Sequence, residues 1–412
     1  MNLSKIPVIT KILKPCCRHY FKYTSPSPVC PPTAPYKFTV TLMDASTNMG
    51  QALALMLKQN SLVEELRLFD DKDTIGIGMD LSDIDTSTRI LAYTGEENLT
   101  EALTDTNLVI NCGGHSANPF ESYEDLFERN AEDVRRTAIY LTEFNRNAVF
   151  CIARPPVESL VPMVYQEYRR AGVKVPEVKI IGAANYYSMR ANHWIAKFMN
   201  VDAFHVTCPI VGGASPETAI AVMSGSNPGK KLTDPRILNA IQEGMAYGEE
   251  RVLGITIHEE ASSAAFAPAV AAYRLINKIL KGLRGDEDTY DCAFVKQEGH
   301  LKKFLPYMTS IVKFGRHGVY DTHMPDMVGS ELYRLKNSYP VLRAYIHLGE
   351  KYVHGVPLPP AKLPCNRPCI LTKTKTVEDQ RNPLKVKIHN PADYDKCGRI
   401  EERRDYGESC NS

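Results

Sequence analysis

No stretch of about 18 uninterrupted apolar residues occurs in the 412-residue chain, and this excludes a membrane-spanning helix. There is no excess of either charge: 49 Lys and Arg stand against 48 Asp and Glu, a formal net charge of +1. A chain without a basic field is a poor nucleic-acid binder, so nucleic acid is not expected as a partner. Metal-ligand spacing is also lacking. Cys365 and Cys369 could supply half of a zinc site, but no matching Cys or His pair follows, so no metal is expected. The eleven cysteines are odd in number and irregular in spacing, unlike a secreted disulfide framework. Cys112, Cys151, Cys208 and Cys292 fall inside apolar runs and read as core thiols. Acid is missing from the start of the chain. Residues 1–36 carry Lys5, Lys11, Lys14, Arg18 and Lys22, and the first acidic residue is Asp44.

That basic, acid-free start, with Ile6, Val8, Ile9, Ile12 and Leu13 between its cations, predicts a mitochondrial presequence. A disordered basic tail, with a cytoplasmic location, is the other reading. Residues 356–412 are punctuated by seven prolines from Pro357 to Pro391 and filled with charges of both signs. Such a composition buries too little apolar surface to offset ordering entropy, so a flexible tail that could dock on a partner is expected. Between the ends there is enough chain for about two domains at ~150 residues each.

The middle alternates strand and helix patterns. Segments 38–43, 66–70, 106–111 and 148–153 read as buried strands, with helical periods at 49–59 and 122–146. This pattern predicts an α/β fold with a doubly wound parallel sheet over 37–180. The strand 66–70 ends in Asp70, 20 residues after Gly50, where such folds place a ribose-binding carboxylate. Over 181–355 the pattern changes. Strands at 206–211 and 217–222 and helices at 235–252, 259–282 and 328–352 predict an α+β lobe packed against the sheet.

Several segments then carry a resemblance: Gly50-Gln51-Ala52-Leu53, Leu66-Arg67-Leu68-Phe69-Asp70, Met79-Asp80-Leu81-Ser82-Asp83-Ile84, Asp125-Leu126-Phe127-Glu128-Arg129-Asn130-Ala131, Arg190-Ala191-Asn192 and Pro209-Ile210-Val211-Gly212-Gly213. In order and spacing, from about 37 to 354, the chain resembles malate dehydrogenase of the mitochondrial type, within the lactate/malate dehydrogenase family. The resemblance implies an NAD-type Rossmann domain followed by a catalytic domain. It also implies a homodimer, and an oxidoreductase of the tricarboxylic acid cycle that interconverts malate and oxaloacetate with NAD. Gly50, Asp70 and Asn130 match its cofactor-binding positions, and Arg190 matches a substrate arginine.

The remaining chemistry is replaced. The Gly-x-x-Gly-x-x-Gly phosphate loop reads Asp44, Thr47, Gly50, so the glycines that make the tight turn and admit the pyrophosphate are gone. A carboxylate ~5 Å from one phosphate charge, at an effective dielectric of about 20, costs roughly 3 kcal/mol, or about a hundredfold in affinity. The proton-transferring histidine corresponds to Ala214 and its orienting aspartate to Tyr187. General acid–base catalysis contributes about 10²–10⁴-fold, and neither residue can supply it at neutral pH. Two of three substrate arginines correspond to Ala117 and Tyr123, which removes the bidentate forks that hold a dicarboxylate. The two asparagines of the turn after the fourth strand correspond to Pro155 and Glu158, and Glu158 is expected to repel an anion. His115 and His205 are the only candidates for a rewired base. The expectation is a catalytically inactive paralogue acting as a structural or binding subunit, paired with itself or with a related dehydrogenase. The alternative is an active NAD-dependent malate dehydrogenase.

Overall fold

The computed structural model describes residues 37–113, 122–173, 179–248, 265–298, 302 and 305–355. The basic start, the Pro-rich tail, His115 and Ala117 lie outside them. The strands are β1 Phe38–Met43, β2 Val63–Asp70, β3 Arg89–Thr94, β4 Leu108–Asn111, β5 Val149–Ile152, β6 Ile180–Ala183, β7 Ile210–Gly212, β8 Ala219–Ala221, β9 Tyr290–Lys296, β10 Tyr307–Gly315 and β11 Gly318–His323. The helices are α1 Asn48–Lys58, α2 Ile75–Ser82, α3 Leu99–Leu103, α4 Tyr123–Phe144, α5 Val157–Arg170, α6 Asn185–Met199, α7 Pro235–Ala246, α8 Phe266–Arg284 and α9 Gly329–Gly355.

The first six strands pair in parallel in the order 3-2-1-4-5-6, the doubly wound order of dinucleotide-binding domains. Every residue of β4 and β5 is buried, as a parallel sheet covered on both faces requires. On one face Leu53, Ala54 and Leu57 of α1 pack with Leu275, Ile276 and Ile279 of α8. On the other, Phe127, Val134 and Leu141 of α4 meet Leu160 and Val164 of α5 and Leu342 and Ile346 of α9. The α9–α5 contact is tight: a Cβ on Gly349 would collide with the Ser159 carbonyl.

The second half carries the mixture of strands and helices expected of an α+β lobe. Its strands extend the same sheet, through antiparallel pairs from β6 to β9, β10, β7 and β8, with β11 on β10. The strands expected at 206–211 and 217–222 shrink to β7 and β8. Thr207 makes only an isolated bridge to Asn227, and His205 ends a short 3-10 turn rather than lying on a strand. Among the described residues no helix is long and apolar enough to cross a membrane.

Candidate functional site

In an open α/β sheet a ligand crevice forms outside the carboxyl ends of the strands, where the order reverses. Here that point lies between β1 and β4, and the residues that follow those strands are Asp44 and Gly113. Asp44 adopts φ +59°, the left-handed region that glycine occupies without cost. The turn of the missing glycine is therefore kept, with a carboxylate on it. That carboxylate reaches across the switch point: Gly113 N donates to Asp44 Oδ2 at 3.3 Å. A Cβ on Gly113 would run into the Asp44 side chain, so the crevice is filled at this point. At Gly50 a Cβ would strike the Asp44 carbonyl, and Thr47 caps α1 by accepting from Gly50 N at 3.1 Å.

Arg154 is the residue that sequence reasoning missed. It follows β5, is 2% exposed, and places Nη1 3.8 Å from Asp44 Oδ2 while Nη2 donates to Asp133 Oδ2 at 3.4 Å. The signal was a cation between an apolar strand and two prolines, but its partners lie far off in sequence. The expected repulsion of a phosphate by a bare Asp44 is thus reduced by the Arg154 charge beside it. A pyrophosphate entering here would displace the Asp44 side chain, so the loop does not fit the group. Asp70, the expected ribose ligand, accepts from Ser46 N and Lys72 N, both at 3.0 Å, and ties the same loop to β2. Asn130 is fully buried in α4, where its Nδ2 donates to the Leu126 carbonyl at 3.0 Å.

A second buried carboxylate lies beside Ala214. Glu158, in the first turn of α5, is 1% exposed. Its Oε1 accepts from Ala214 N at 2.8 Å, from Ser215 Oγ at 3.3 Å and, at close range, from Thr218 Oγ1. Its Oε2 accepts from the Tyr123 hydroxyl at 3.2 Å. Tyr123 stacks on Tyr345 of α9 with ring centres 3.4 Å apart. A Cβ on Gly213 would collide with this carboxylate and with Thr218. Glu158 was expected to repel an incoming anion; instead its oxygens are taken up by the chain itself, joining α4 and α5 to the β7–β8 turn.

Tyr187 and Ala214 do come together, in one apolar cluster with Ala191, Ile195 and Ile210. Tyr187 is buried in this cluster, and Ala214 is partly buried against it. Arg190, one turn along α6, lies over the Tyr186 ring with its carbon 4.0 Å from the centroid. It donates to the Tyr186 hydroxyl and, at 3.3 Å, to the Met245 carbonyl. Its fork is turned onto α6 and the end of α7. His205 is exposed, its ring edge-on to Phe204, and is not drawn into the cluster.

Burial holds the carboxyls of Asp44 and Glu158 above their ordinary range, and burial likewise pushes Asp291 on β9 to about 6. The groups facing Asp291 are Asn185, the Cys292 backbone, Lys278 and Arg274. A carboxyl raised on folding binds its proton more tightly in the folded state, so its contribution is full below the unfolded value and is lost as pH rises through the folded one. Stability should therefore increase as pH falls from 7.5 to 5, with Asp291 alone contributing about 1 kcal/mol. Urea melts across that range would show it, and Asp291→Asn should flatten the slope.

A parallel sheet in the 3-2-1-4-5-6 order, a crevice at its switch point and a helix-lined extension through antiparallel strands define a dinucleotide-dependent dehydrogenase fold. Residues 38–182 match the model for the lactate/malate dehydrogenase NAD binding domain, and residues 187–353 the one for the lactate/malate dehydrogenase alpha/beta C-terminal domain. The chain belongs to the lactate/malate dehydrogenase family. Among its relatives, malate dehydrogenase 1, peroxisomal, of Arabidopsis thaliana is 32% identical over 289 residues, 69% of this chain and 79% of that one. The mitochondrial malate dehydrogenase of Eucalyptus gunnii is 31% identical over 316 residues, 76% of this chain and 89% of that one. The crystal structure of Cryptosporidium parvum malate dehydrogenase superposes with a TM-score of 0.65 at 19% identity, covering 76% of this chain and 99% of that one.

Proposed function

We propose that this chain is a malate-dehydrogenase-fold protein without dehydrogenase chemistry, acting as a structural or binding subunit paired with itself or with a related dehydrogenase. The observation that carries the reading is the pair of internal carboxylates. Asp44 bridges the switch point to Gly113 N, and Glu158 takes the donors around Ala214, the position of the missing proton donor. Each stands where an anionic ligand group would have to go. Asp70 and Arg190, which could still contact a cofactor or substrate, are engaged with the chain's own backbone and with Tyr186. The scaffold meanwhile keeps a continuous apolar core on both faces of its sheet, as a protein selected for its surfaces would. The acid-free basic start supports a mitochondrial setting, and the Pro-rich tail is the segment we assign to partner docking.

A second reading, an active NAD-dependent malate dehydrogenase, is favoured by the identity of about 30% to enzymes so named. The experiment that separates the two is an NADH fluorescence titration of the full chain, with oxaloacetate-dependent NADH oxidation followed in the same cuvette. The inactive reading expects no saturable binding below about 1 mM NADH and no oxidation above background. Saturable binding with turnover would establish the second reading and send the search for a proton donor to His115.

A further inference from the structure

The helix α9 ends at Gly355, and the chain runs on for another 57 residues. Beside that helix, where the chain enters β10, lies an open groove of about 680 Å³. Its floor is apolar: Leu305 and Ile346 are buried, and Pro306 and Ala344 continue the surface. Tyr339, Arg343, His347 and Glu350 stand at successive turns of α9, so the groove runs along the helix. Glu350, the one acid lining it among the described residues, accepts from Gln166 Nε2 on α5 at 3.3 Å. Lys302, Arg343 and His347 have no hydrogen-bond or ion-pair partner among the described residues. The groove therefore offers apolar contact and spare donors.

The segment that leaves α9 matches both. It reads Val356-Pro357-Leu358-Pro359-Pro360-Ala361-Lys362-Leu363-Pro364, and four of its nine residues are proline. Proline lacks an N–H, so the segment has nine carbonyls against five N–H groups. Such a sequence favours a polyproline II helix, which has no internal hydrogen bonds and leaves its carbonyls in need of donors. Grooves with flat rings and apolar floors take segments of this kind. The length also fits. Nine residues at ~3.1 Å each reach ~28 Å. The 16 residues from Tyr339 to Gly355 rise ~24 Å at ~1.5 Å each. A segment turned back at Gly355 is thus long enough to follow the whole groove, with about one residue left for the reversal. At three residues per turn, Pro357, Pro360 and Leu363 share one edge and Leu358, Ala361 and Pro364 the next. Lys362 falls on the third edge, where it would turn away from Arg343 and Lys302. Charges of both signs fill 365–412, so the first nine residues are the part of the tail that suits an apolar floor. A short tether supplies an effective concentration of about 1 mM, so a contact too weak to hold a free peptide can hold this one.

We propose that residues 356–364 fold back along α9 into this groove of their own chain, so that 365–412 departs from the Tyr339 end of the helix. The proposal does not depend on the fate of the dehydrogenase cleft. The test is photo-crosslinking of the full chain carrying p-benzoylphenylalanine in place of Leu363. Irradiation should give a product of single-chain mass on a denaturing gel, with the adduct mapped by mass spectrometry to 305–306 or 339–350. Ala344 is exposed, so Ala344→Trp leaves the core untouched while filling the groove, and it should lower that adduct at least roughly fivefold. Four results would overturn the proposal. They are an adduct elsewhere on the chain, no groove adduct, a main product of doubled mass with the segment on another copy, or a groove adduct that Ala344→Trp leaves intact.

Discussion

Arg154→Met should lower the unfolding free energy by about 3–5 kcal/mol, and adding Asp44→Gly should return most of that loss. Arg154 is 2% exposed and serves two acids, Asp44 at 3.8 Å and Asp133 at 3.4 Å. Removing the cation leaves Asp133 with water, since that side chain is 44% exposed, but leaves Asp44, 24% exposed, with the Gly113 N–H as its remaining donor. A largely buried charge without a countercharge is the costly case, because one hydrogen bond does not repay its desolvation. The pair itself is imperfect: Arg154 Nε and Nη1 find no hydrogen-bond acceptor among the described residues. Replacing both members therefore has little to lose, and glycine at 44 also relieves a left-handed residue of about 1–2 kcal/mol. The double variant should lie within about 1 kcal/mol of the parent, so that the double-mutant cycle gives a coupling of several kcal/mol. Denaturant unfolding of the four proteins reads it. A coupling near zero would mean that Asp44 is solvated and that the crevice is open.

The strand–turn–helix unit at 38–59 and the acid at Asp70 were legible because their signals are local: an apolar run, a cap and a period of 3.6. The helices α4 and α9 were legible for the same reason. What escaped was set by distant pairing. Tyr307–Gly315 mixes Thr, Ser and Lys with its apolar residues, and it is a strand because β9 and β11 flank it. Thr207 extends no strand because Asn227 meets it at one point only. Asp44, Tyr187, Ala214 and Glu158 were singled out by spacing, yet spacing gives no sign of what each side chain does in the fold. Glu158 looked like a free charge that would repel a ligand. Its four donors come from α4 and the β7–β8 turn, at least 35 positions away. Arg154 shows the same gap from the other side, because a lone cation in sequence gains its meaning only from Asp44 and Asp133.

Glu158→Ala should cost about 3–5 kcal/mol, while Glu158→Gln should cost about 1 kcal/mol or less. The alanine removes the acceptor shared by Ala214 N, Ser215 Oγ, Thr218 Oγ1 and the Tyr123 hydroxyl, and these donors are buried or nearly so. Each donor left unsatisfied carries its own desolvation cost, and the α4–α5 side loses its tie to the β7–β8 turn. Glutamine keeps the volume and one acceptor oxygen on the Ala214–Thr218 side. It also gives up a charge whose burial already holds the carboxyl above its ordinary range, which means that the network draws less from the charge than desolvation takes away. Because the Glu158 carboxyl is raised on folding, the parent should gain on both variants as the pH falls and Glu158 takes its proton. The deficit of Glu158→Gln is therefore smallest at the higher pH, while Glu158→Ala stays well below the parent throughout. Chemical denaturation at pH 5 and pH 7.5 gives both comparisons. If Glu158→Ala were within about 0.5 kcal/mol of the parent, water would already fill this end of the cleft. The internal carboxylate would then not be what closes it, and the donors around Ala214 would be available to a ligand after all.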